Sequence, residues 1–226
     1  MTLNINNIIE QEIQKFLDED YPESFDMEFF KSLSSFNKRI QYCDQHLQKL
    51  KSGSGRIAYK IDDEKVLKLA KNQKGVAQNE EEIGGSKDYY IKDLVAQVFD
   101  YDEDNYLWLE MELARPLTMP LFKQIVGVDF NVFGEFIRLY DMERNSRRHA
   151  NLLRKRFDEE FIEYMWDENE FVRDILDYIG SYDIPVGDLT RKSTYGVVKH
   201  NGEDRVVIID YGLSQEVFDT HYMKRK

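Results

Sequence analysis

The chain has 226 residues, of which 42% are hydrophobic, and a formal net charge of -12 at pH 7. This composition is typical of a globular chain with one large domain or two small lobes, and the acidic balance disfavours a general nucleic-acid binder. Because Cys43 is the only cysteine, a disulfide framework within the chain is excluded and a cysteine-based metal site nearly so.

The first 46 residues predict a helical extension. Apolar residues recur at helical spacing in two runs: Ile5, Ile8, Ile9, Ile13, Phe16 and Leu17, then Phe29, Phe30, Leu33, Phe36, Ile40, Cys43 and Leu47. The second run makes one apolar stripe and predicts a helix docked on the following domain, with a partner-binding helix pair as the alternative. The start of the chain shows no basic n-region, and no apolar run is long enough to span a bilayer, so we expect neither a signal peptide nor a membrane span and assign a cytoplasmic location by default.

Residues 47–115 predict a five-stranded sheet with one inserted helix. The strands are expected at residues 47–51, 56–61, 65–70, 94–101 and 106–113, where apolar residues alternate between turn-forming segments. The polar segment 73–90 predicts a helix that Gly84 and Gly85 should end or bend.

Residues 116–226 predict a mainly helical segment that closes with a hairpin. Apolar spacing favours helices between residues 121 and 180, a loop at residues 183–185, and two short strands at residues 197–199 and 205–209. The whole chain is therefore predicted to be α+β with two lobes.

Four features of chemical interest follow one another along this framework. Gly53 and Gly55 form a turn whose backbone N–H groups could approach phosphates, although an ordinary hairpin turn looks the same. Lys68 lies on a half-buried strand and needs an anionic partner, which phosphate oxygens or a carboxylate of the next helix would supply. Asp188 lies in Val186-Gly187-Asp188-Leu189, and Asp210 follows an apolar run at the end of a buried strand, where a metal ligand or a simple turn residue is expected.

Taken in order, these features resemble the protein-kinase signature set. The resemblance covers about residues 47–213 and rests on these segments: Ser52 to Ile57, Val66-Leu67-Lys68-Leu69-Ala70, Trp108 to Ala114, Gly187-Asp188-Leu189 and Asp210-Tyr211-Gly212. Gly187-Asp188-Leu189 looks like the catalytic-loop aspartate in the form common among aminoglycoside-kinase-like proteins, and the chain as a whole resembles short kinase-like proteins of tailed bacteriophages. It implies an abbreviated bilobal protein-kinase-like fold with a five-stranded N-lobe, a reduced helical C-lobe and an N-terminal helical extension.

The resemblance also implies ATP and Mg²⁺ as cofactors and assigns roles to single residues. Catalysis would fall to Asp188, which would accept or orient the proton of the attacking hydroxyl, and to Lys68, which would hold the α- and β-phosphates. Glu82, or else Glu80, would pair with Lys68, and Asp210 would bind Mg²⁺. The remaining nucleotide contacts would come from Gly53 and Gly55 at the phosphates, Met111 as gatekeeper, and the backbones of Glu112 and Ala114 at the adenine.

The chain departs from the kinase pattern at three places. The glycine-rich turn lacks a third glycine. Ser193, or Thr194 if one residue is inserted, stands where an asparagine normally binds the metal, and a hydroxyl is the weaker Mg²⁺ ligand. Only 14 residues follow Gly212, which leaves no room for the activation segment that usually docks a peptide.

Two functions therefore compete. The first is an ATP- and Mg²⁺-dependent phosphotransferase whose acceptor is unknown and, if the chain is phage-encoded, is expected to be a protein in the host cytoplasm. The second is a pseudokinase that acts as a binding or regulatory module, and transfer of a nucleotidyl group is a third alternative. A basic cluster is interpreted mainly as a solvated helix face paired with Asp158, Glu159 and Glu160, and otherwise as a dock for an anionic partner. The cluster consists of Arg144, Arg147, Arg148, Arg154, Lys155 and Arg156.

Overall fold

The structure is a computed structural model that describes residues 21–182 and 184–222. The helix predicted over residues 5–17 and the loop residue Asp183 lie outside the described residues. Within the described residues, no helix combines the length and the apolar character needed to cross a bilayer.

An antiparallel five-stranded sheet forms the first half of the described chain, as predicted. Its strands are β1 (Gln48–Ser52), β2 (Arg56–Lys60), β3 (Lys65–Ala70), β4 (Val98–Tyr101) and β5 (Trp108–Glu112). They lie in the order β1-β2-β3-β5-β4, so the chain returns from β4 at the edge to β5 beside β3. The register pairs Lys68 with Ala58 on one side and with Leu109 on the other, which places this lysine at the centre of the sheet.

The two faces of the sheet are covered by different parts of the chain because side chains alternate along each strand. On the outer face, Ile57, Tyr59 and Leu69 belong to one apolar cluster with Phe30 and Cys43 of the N-terminal helices. The inner face contributes another set of side chains, including Val66, Leu109 and Met111, to the main core with the later helices. The described N-terminal helices are thus docked on the sheet, as the preferred interpretation expected.

The apolar run from Phe29 to Leu47 forms two helices, so the prediction of one continuous helix was wrong. The first, α1, spans Met27–Ser32, and the second, α2, spans Phe36–His46. The chain is extended at Leu33, and the side chain of Ser35 accepts a hydrogen bond from the N–H of Lys38, which starts α2 with an N-cap.

The helix after β3, α3, spans Gln73–Lys87 without interruption. The expectation that Gly84 and Gly85 end or bend it was wrong. Glycine lowers helix propensity by only about 1 kcal/mol, and packing overrides a cost of this size. At Gly85 the packing is close, since a Cβ atom there would lie 3.0 Å from the ring of Tyr211.

The second half of the described chain is helical and carries a small sheet. The helices are α4 (Met119–Val126), α5 (Phe130–Asn145), α6 (Leu152–Arg156), α7 (Glu159–Glu163), α8 (Glu170–Ser181), α9 (Val186–Leu189) and α10 (Gln215–His221). The small sheet has the order β6 (Arg115–Pro116), β7 (Tyr195–His200) and β8 (Glu203–Ile208), and it contains the predicted hairpin.

One apolar core joins the inner face of the large sheet to these helices. It runs from Val66 and Met111 through Phe133 and Ile175 to Val207. The strand β8 also makes an isolated parallel bridge from Ile208 to Val95, which places the end of β8 beside the large sheet. The separation into two lobes and the segment boundaries at residues 46 and 115 stay predictions.

Candidate functional site

Lys68 forms an ion pair with Glu82 of α3. Its Nζ lies 2.7 Å from Glu82 Oε2, and the side chains are 12% and 0% exposed. Glu80, the alternative partner, is exposed on the opposite side of the helix. The helical period explains the difference, because the buried stripe of α3 recurs every three to four residues and includes Glu82: Gly75, Gln78, Asn79, Glu82, Ile83 and Ser86.

A second cation, Arg56, shares the same carboxylate and was not predicted. Its Nη1 and Nη2 each lie 2.8 Å from a different oxygen of Glu82, which is the bidentate geometry that guanidinium groups favour. The same Nη2 donates to Asp210 Oδ1 at 2.9 Å. Four charged groups therefore form one cluster, in which Arg56, Lys68 and Glu82 are largely buried and Asp210 is half exposed. It is defined here as the charge cluster: Arg56, Lys68, Glu82 and Asp210.

A sequence signal for Arg56 does exist. Ile57 and Tyr59 point to the outer face of the sheet, so Arg56 must share the inner face with Ala58, the register partner of Lys68. An arginine on that face, next to a turn and close to a lysine, requires a carboxylate partner.

Burial and mutual attraction oppose each other in this cluster. Burial alone would raise the pKa of the Glu82 carboxyl, but the charges of Arg56 and Lys68 outweigh burial and hold that pKa below its ordinary value. For Lys68, burial lowers the pKa, and the attraction of Glu82 does not fully restore it because Arg56 repels the ammonium. Glu82 is thus the anion on which both cations depend.

The end of β8 brings the Asp210-Tyr211-Gly212 segment to this cluster. Lys68 Nζ donates to the carbonyl of Ile209 at 2.7 Å, while the carboxylate of Asp210 is 52% exposed. The buried Tyr211 donates its hydroxyl to the carbonyl of Ala96 at 3.0 Å. At Gly212 a Cβ atom would lie 2.3 Å from the carbonyl oxygen of Gln78, so only glycine allows this approach to α3.

The glycine-rich turn is held against the start of α3. Gly55 and Gly75 are in such close contact that a Cβ atom on Gly75 would lie 2.2 Å from the carbonyl oxygen of Gly55. The N–H of Lys71 donates to the Gly55 carbonyl, and Lys71 Nζ donates to the Gly53 carbonyl at 2.9 Å. Asn72 adds a bond from its side-chain amide to the carbonyl of Ser54. These contacts fix the turn that precedes Arg56 at the start of α3.

Asp188 lies in the short helix α9 and is joined to the charge cluster through Thr194. The hydroxyl of Thr194 donates to the Asp188 carbonyl at 2.7 Å. The backbone carbonyl of Thr194 accepts from the N–H of Ile209 at 2.8 Å. The Asp188 carboxylate pairs with Arg191 Nη1 at 2.7 Å. The structure therefore brings the Asp188 backbone within two hydrogen bonds of the residue that precedes Asp210.

Ser193 and Thr194, the two candidates for the asparagine position, are placed differently. Thr194 is buried, and its hydroxyl is already donated to the Asp188 carbonyl, so it does not face a metal site. Ser193 is exposed in the short 3-10 helix Lys192–Thr194. Among the described residues, no group of three His, Cys, Asp or Glu side chains could hold a metal ion by itself.

The proposed adenine-contacting segment lies at the end of β5. Met111 is buried in the main core and pairs with Val66 of β3. The N–H of Glu112 donates to the carbonyl of Gln97 at 2.9 Å, so this N–H is already used within the protein. Ala114 packs against β7, where a Cβ atom on Gly196 would meet its methyl group at 2.4 Å.

In the part of the chain that the structure describes, three members of the basic cluster have partners for their side chains, and only one of these partners is a predicted acid. Arg154 pairs with Glu159 at 3.3 Å, as expected. Arg156 instead forms a bidentate pair with Glu135 of α5, and Arg144 donates to the carbonyls of Ile179 and Gly180. These last two bonds satisfy carbonyls in the last turn of α8, which otherwise lack partners.

No protein-family model matches the chain, and no curated protein matches it. Among solved structures, similar folds occur in aminoglycoside phosphotransferases. The GDP and kanamycin complex of APH(2")-IIia is 13% identical with a TM-score of 0.37, and the match covers 83% of this chain and 71% of that one. The GDP complex of wild-type aminoglycoside 2'-phosphotransferase-IIIa is 14% identical with a TM-score of 0.33, over 80% of this chain and 73% of that one. Since these scores describe a loose similarity, the functional proposal depends on the contacts within this chain.

Proposed function

We propose that the chain binds a nucleoside triphosphate, ATP, together with Mg²⁺ and transfers its γ-phosphoryl group. The observation that carries this proposal is the Lys68–Glu82 pair beside Asp210. A lysine fixed by a helix carboxylate next to a metal-binding aspartate is the arrangement that positions phosphates in kinase-type phosphoryl transfer.

Lys68 keeps capacity for a phosphate oxygen. An ammonium group has three N–H donors, and two of those of Lys68 go to Glu82 and to the Ile209 carbonyl. The third is left for a phosphate, and Arg56 adds a further positive charge within the same cluster. In this proposal Lys68 would hold the α- and β-phosphates, with Gly53 and Gly55 in the turn that covers them.

The residues present fit a Mg²⁺ ion that arrives with the nucleotide. Asp210 uses one oxygen for Arg56 and has its second oxygen available, while the Ser193 hydroxyl is exposed to solvent. Mg²⁺ in proteins is usually held by one or two carboxylates plus substrate phosphates and water, so a site without three protein acids is sufficient. When bound, the ion would neutralise negative charge on the phosphate oxygens.

The remaining groups orient the reactants. Asp188 would accept or orient the proton of the acceptor hydroxyl, and its Arg191 partner holds the carboxylate in place. Met111 and the backbones of Glu112 and Ala114 would contact the adenine. The contacts around Asp188 select no acceptor, so the host protein implied by the resemblance stays a prediction.

A binding module without catalysis is the second candidate, and Arg56 favours it. Two cations and two carboxylates already balance within the charge cluster, so Asp210 has a cationic partner without any metal. In such a module, nucleotide would bind without being consumed.

Calorimetric titration of ATP with and without Mg²⁺ tests the proposal on the full chain. We expect Mg²⁺-dependent binding that Asp210→Asn abolishes and Asp104→Asn, in the exposed turn before β5, leaves unchanged. Slow Mg²⁺-dependent hydrolysis of ATP, lost in Lys68→Met and Asp188→Asn, would support phosphoryl transfer. Binding without hydrolysis would support the module, and absence of ATP binding would refute both.

A further inference from the structure

A cavity of about 710 Å³ lies behind α3, away from the proposed phosphate site. It is open to solvent on one side and lined by α3, the end of α8 and α10, and residues such as Ile91, Ile184 and Val217 make part of its wall apolar. None of its lining residues is Lys68, Asp188 or Asp210. A volume of this size is typical of sites that bind small organic molecules.

The charge that lines the cavity is negative. Four carboxylates contribute to it, Glu80, Glu81, Asp88 and Glu216, whereas His221 is the only basic side chain among the described lining residues. Two of these acids are engaged, since Glu81 accepts from Ser214 at 2.9 Å and Asp88 accepts from Tyr182. Within the described part of the chain, Glu80 and Glu216 have no hydrogen-bond or ion-pair partner and are exposed.

A tyrosine in the wall provides an independent indication of a ligand. Tyr178 is 5% exposed and lines the cavity, and its hydroxyl has no hydrogen-bond partner among the described residues. Among the described residues, the only fully buried side-chain polar atom without a partner is Arg39 Nε, so the unpaired Tyr178 hydroxyl keeps some solvent access although its residue is buried. Because Tyr178 lines the cavity, this hydroxyl is available to a bound molecule. The rings of Tyr178, Tyr182 and Tyr211 also place three aromatic surfaces in the same wall.

We propose that this cavity binds a small organic cation, an amine carried on an apolar chain or ring. The ammonium group would lie near Glu80 and Glu216 and donate to the Tyr178 hydroxyl. The apolar body would pack against the isoleucine and tyrosine side chains. The tyrosine rings would also attract the cation through their faces. Neutral and anionic molecules of the same shape would lack the charge attraction to Glu80 and Glu216.

Three probes of one shape test this directly: 4-phenylbutylamine, 4-phenylbutanol and 4-phenylbutyrate, titrated calorimetrically into the full chain at neutral pH. We expect the amine to bind at least tenfold more tightly than the alcohol, and the carboxylate not to bind. Equal affinity for amine and alcohol would overturn the proposal, as would absence of amine binding at millimolar concentration.

Variants locate the site. The double variant Glu80→Gln/Glu216→Gln should weaken amine binding several-fold, while Glu103→Gln, an exposed acid in the turn before β5, should not. Gly84→Leu should abolish binding without unfolding the protein, because Gly84 lines the cavity and a Cβ atom there would meet nothing within 4 Å.

The variant Tyr178→Phe tests the role of the hydroxyl in amine binding independently of protein stability. Since the hydroxyl has no hydrogen-bond partner among residues 21–182 and 184–222, its removal should leave the thermal midpoint unchanged and reduce amine affinity. Amine binding unaffected by both Gly84→Leu and the double variant would place the amine elsewhere and refute the proposed site.

Discussion

Replacement of Glu82 by glutamine should be among the most destabilising conservative substitutions in the chain. Glu82 is fully buried and holds two cations, Arg56 and Lys68, which are 10% and 12% exposed. Without its charge, Asp210 alone opposes two buried cations, and it contacts only Arg56. Breaking a buried ion pair by removal of one partner costs about 3–5 kcal/mol, which is a large part of the 5–15 kcal/mol that stabilises a typical domain.

Removal of the cation, in Lys68→Met, should lower the unfolding free energy by less than removal of the anion. In Lys68→Met, Glu82 keeps both guanidinium bonds of Arg56, so the loss is about that of one charge-assisted hydrogen bond, roughly 1.5–3 kcal/mol, offset by the burial cost that the lysine no longer incurs. The order of effects, Glu82→Gln larger than Lys68→Met, follows from the geometry because one carboxylate serves two cations.

Urea unfolding followed by circular dichroism measures these differences, with Glu80→Gln as the matched control on the same helix. Glu80 is exposed, so its substitution should change the unfolding free energy by less than about 0.5 kcal/mol. The folded-state pKa of Glu82 lies below its unfolded value, so its contribution is present above the unfolded pKa and is lost as the pH falls through the folded one. The difference in unfolding free energy between wild type and Glu82→Gln should therefore become smaller as the pH is lowered. If Glu82→Gln and Glu80→Gln unfold at the same urea concentration, the charge cluster does not stabilise the fold as argued.

Two further predictions concern positions away from the charge cluster. Gly84→Ala should stabilise the protein by about 0.5–1 kcal/mol because α3 gains propensity and the space is open, whereas Gly85→Ala should not, since its Cβ atom would press on the Tyr211 ring; thermal unfolding of the pair tests this. Burial raises the pKa of the Glu110 carboxyl, which accepts from Tyr21 at 2.7 Å, so stability is lost as the pH rises through that pKa. Glu110→Gln keeps an acceptor for Tyr21 and should unfold at a slightly higher temperature at pH 7 but not at pH 4, and an equal shift at both pH values would contradict the assigned ionisation.

The sheet was predictable because its signals are local. Strand β3 has the predicted bounds, since alternation along Lys65–Ala70 between two turns leaves no other regular structure. The helix boundaries were less accessible. Nothing in the apolar spacing from Phe29 to Leu47 shows that Ser35 starts a new helix, because the stripe is the same for one helix or two with a common buried face.

The candidate site also has parts that local sequence patterns predict and parts that depend on packing. The order and spacing of the motifs around Lys68, Asp188 and Asp210 predicted a shared site, and the structure places Lys68 next to the Asp210 segment. The choice between Glu80 and Glu82 was not predictable, because it depends on which face of α3 packs on the sheet, and that packing involves close glycine contacts at Gly55 and Gly212. The Gly212 contact with Gln78 joins residues more than a hundred positions apart, and neither glycine contact leaves a trace in local composition.

Arg56 is the clearest case of a site residue whose partners are distant in the sequence. It contacts Asp210 across 154 positions in the sequence. The turn that precedes Arg56 is held in place by the side chains of Lys71 and Asn72, which lie just before α3. A guanidinium group next to the proposed metal ligand does not by itself prevent metal binding, since the second oxygen of Asp210 remains available. It does mean that the nucleotide would enter a cluster that is already neutral. The Mg²⁺–nucleotide complex must therefore share Asp210 with Arg56, or displace it, and this competition decides between a phosphotransferase and a binding module.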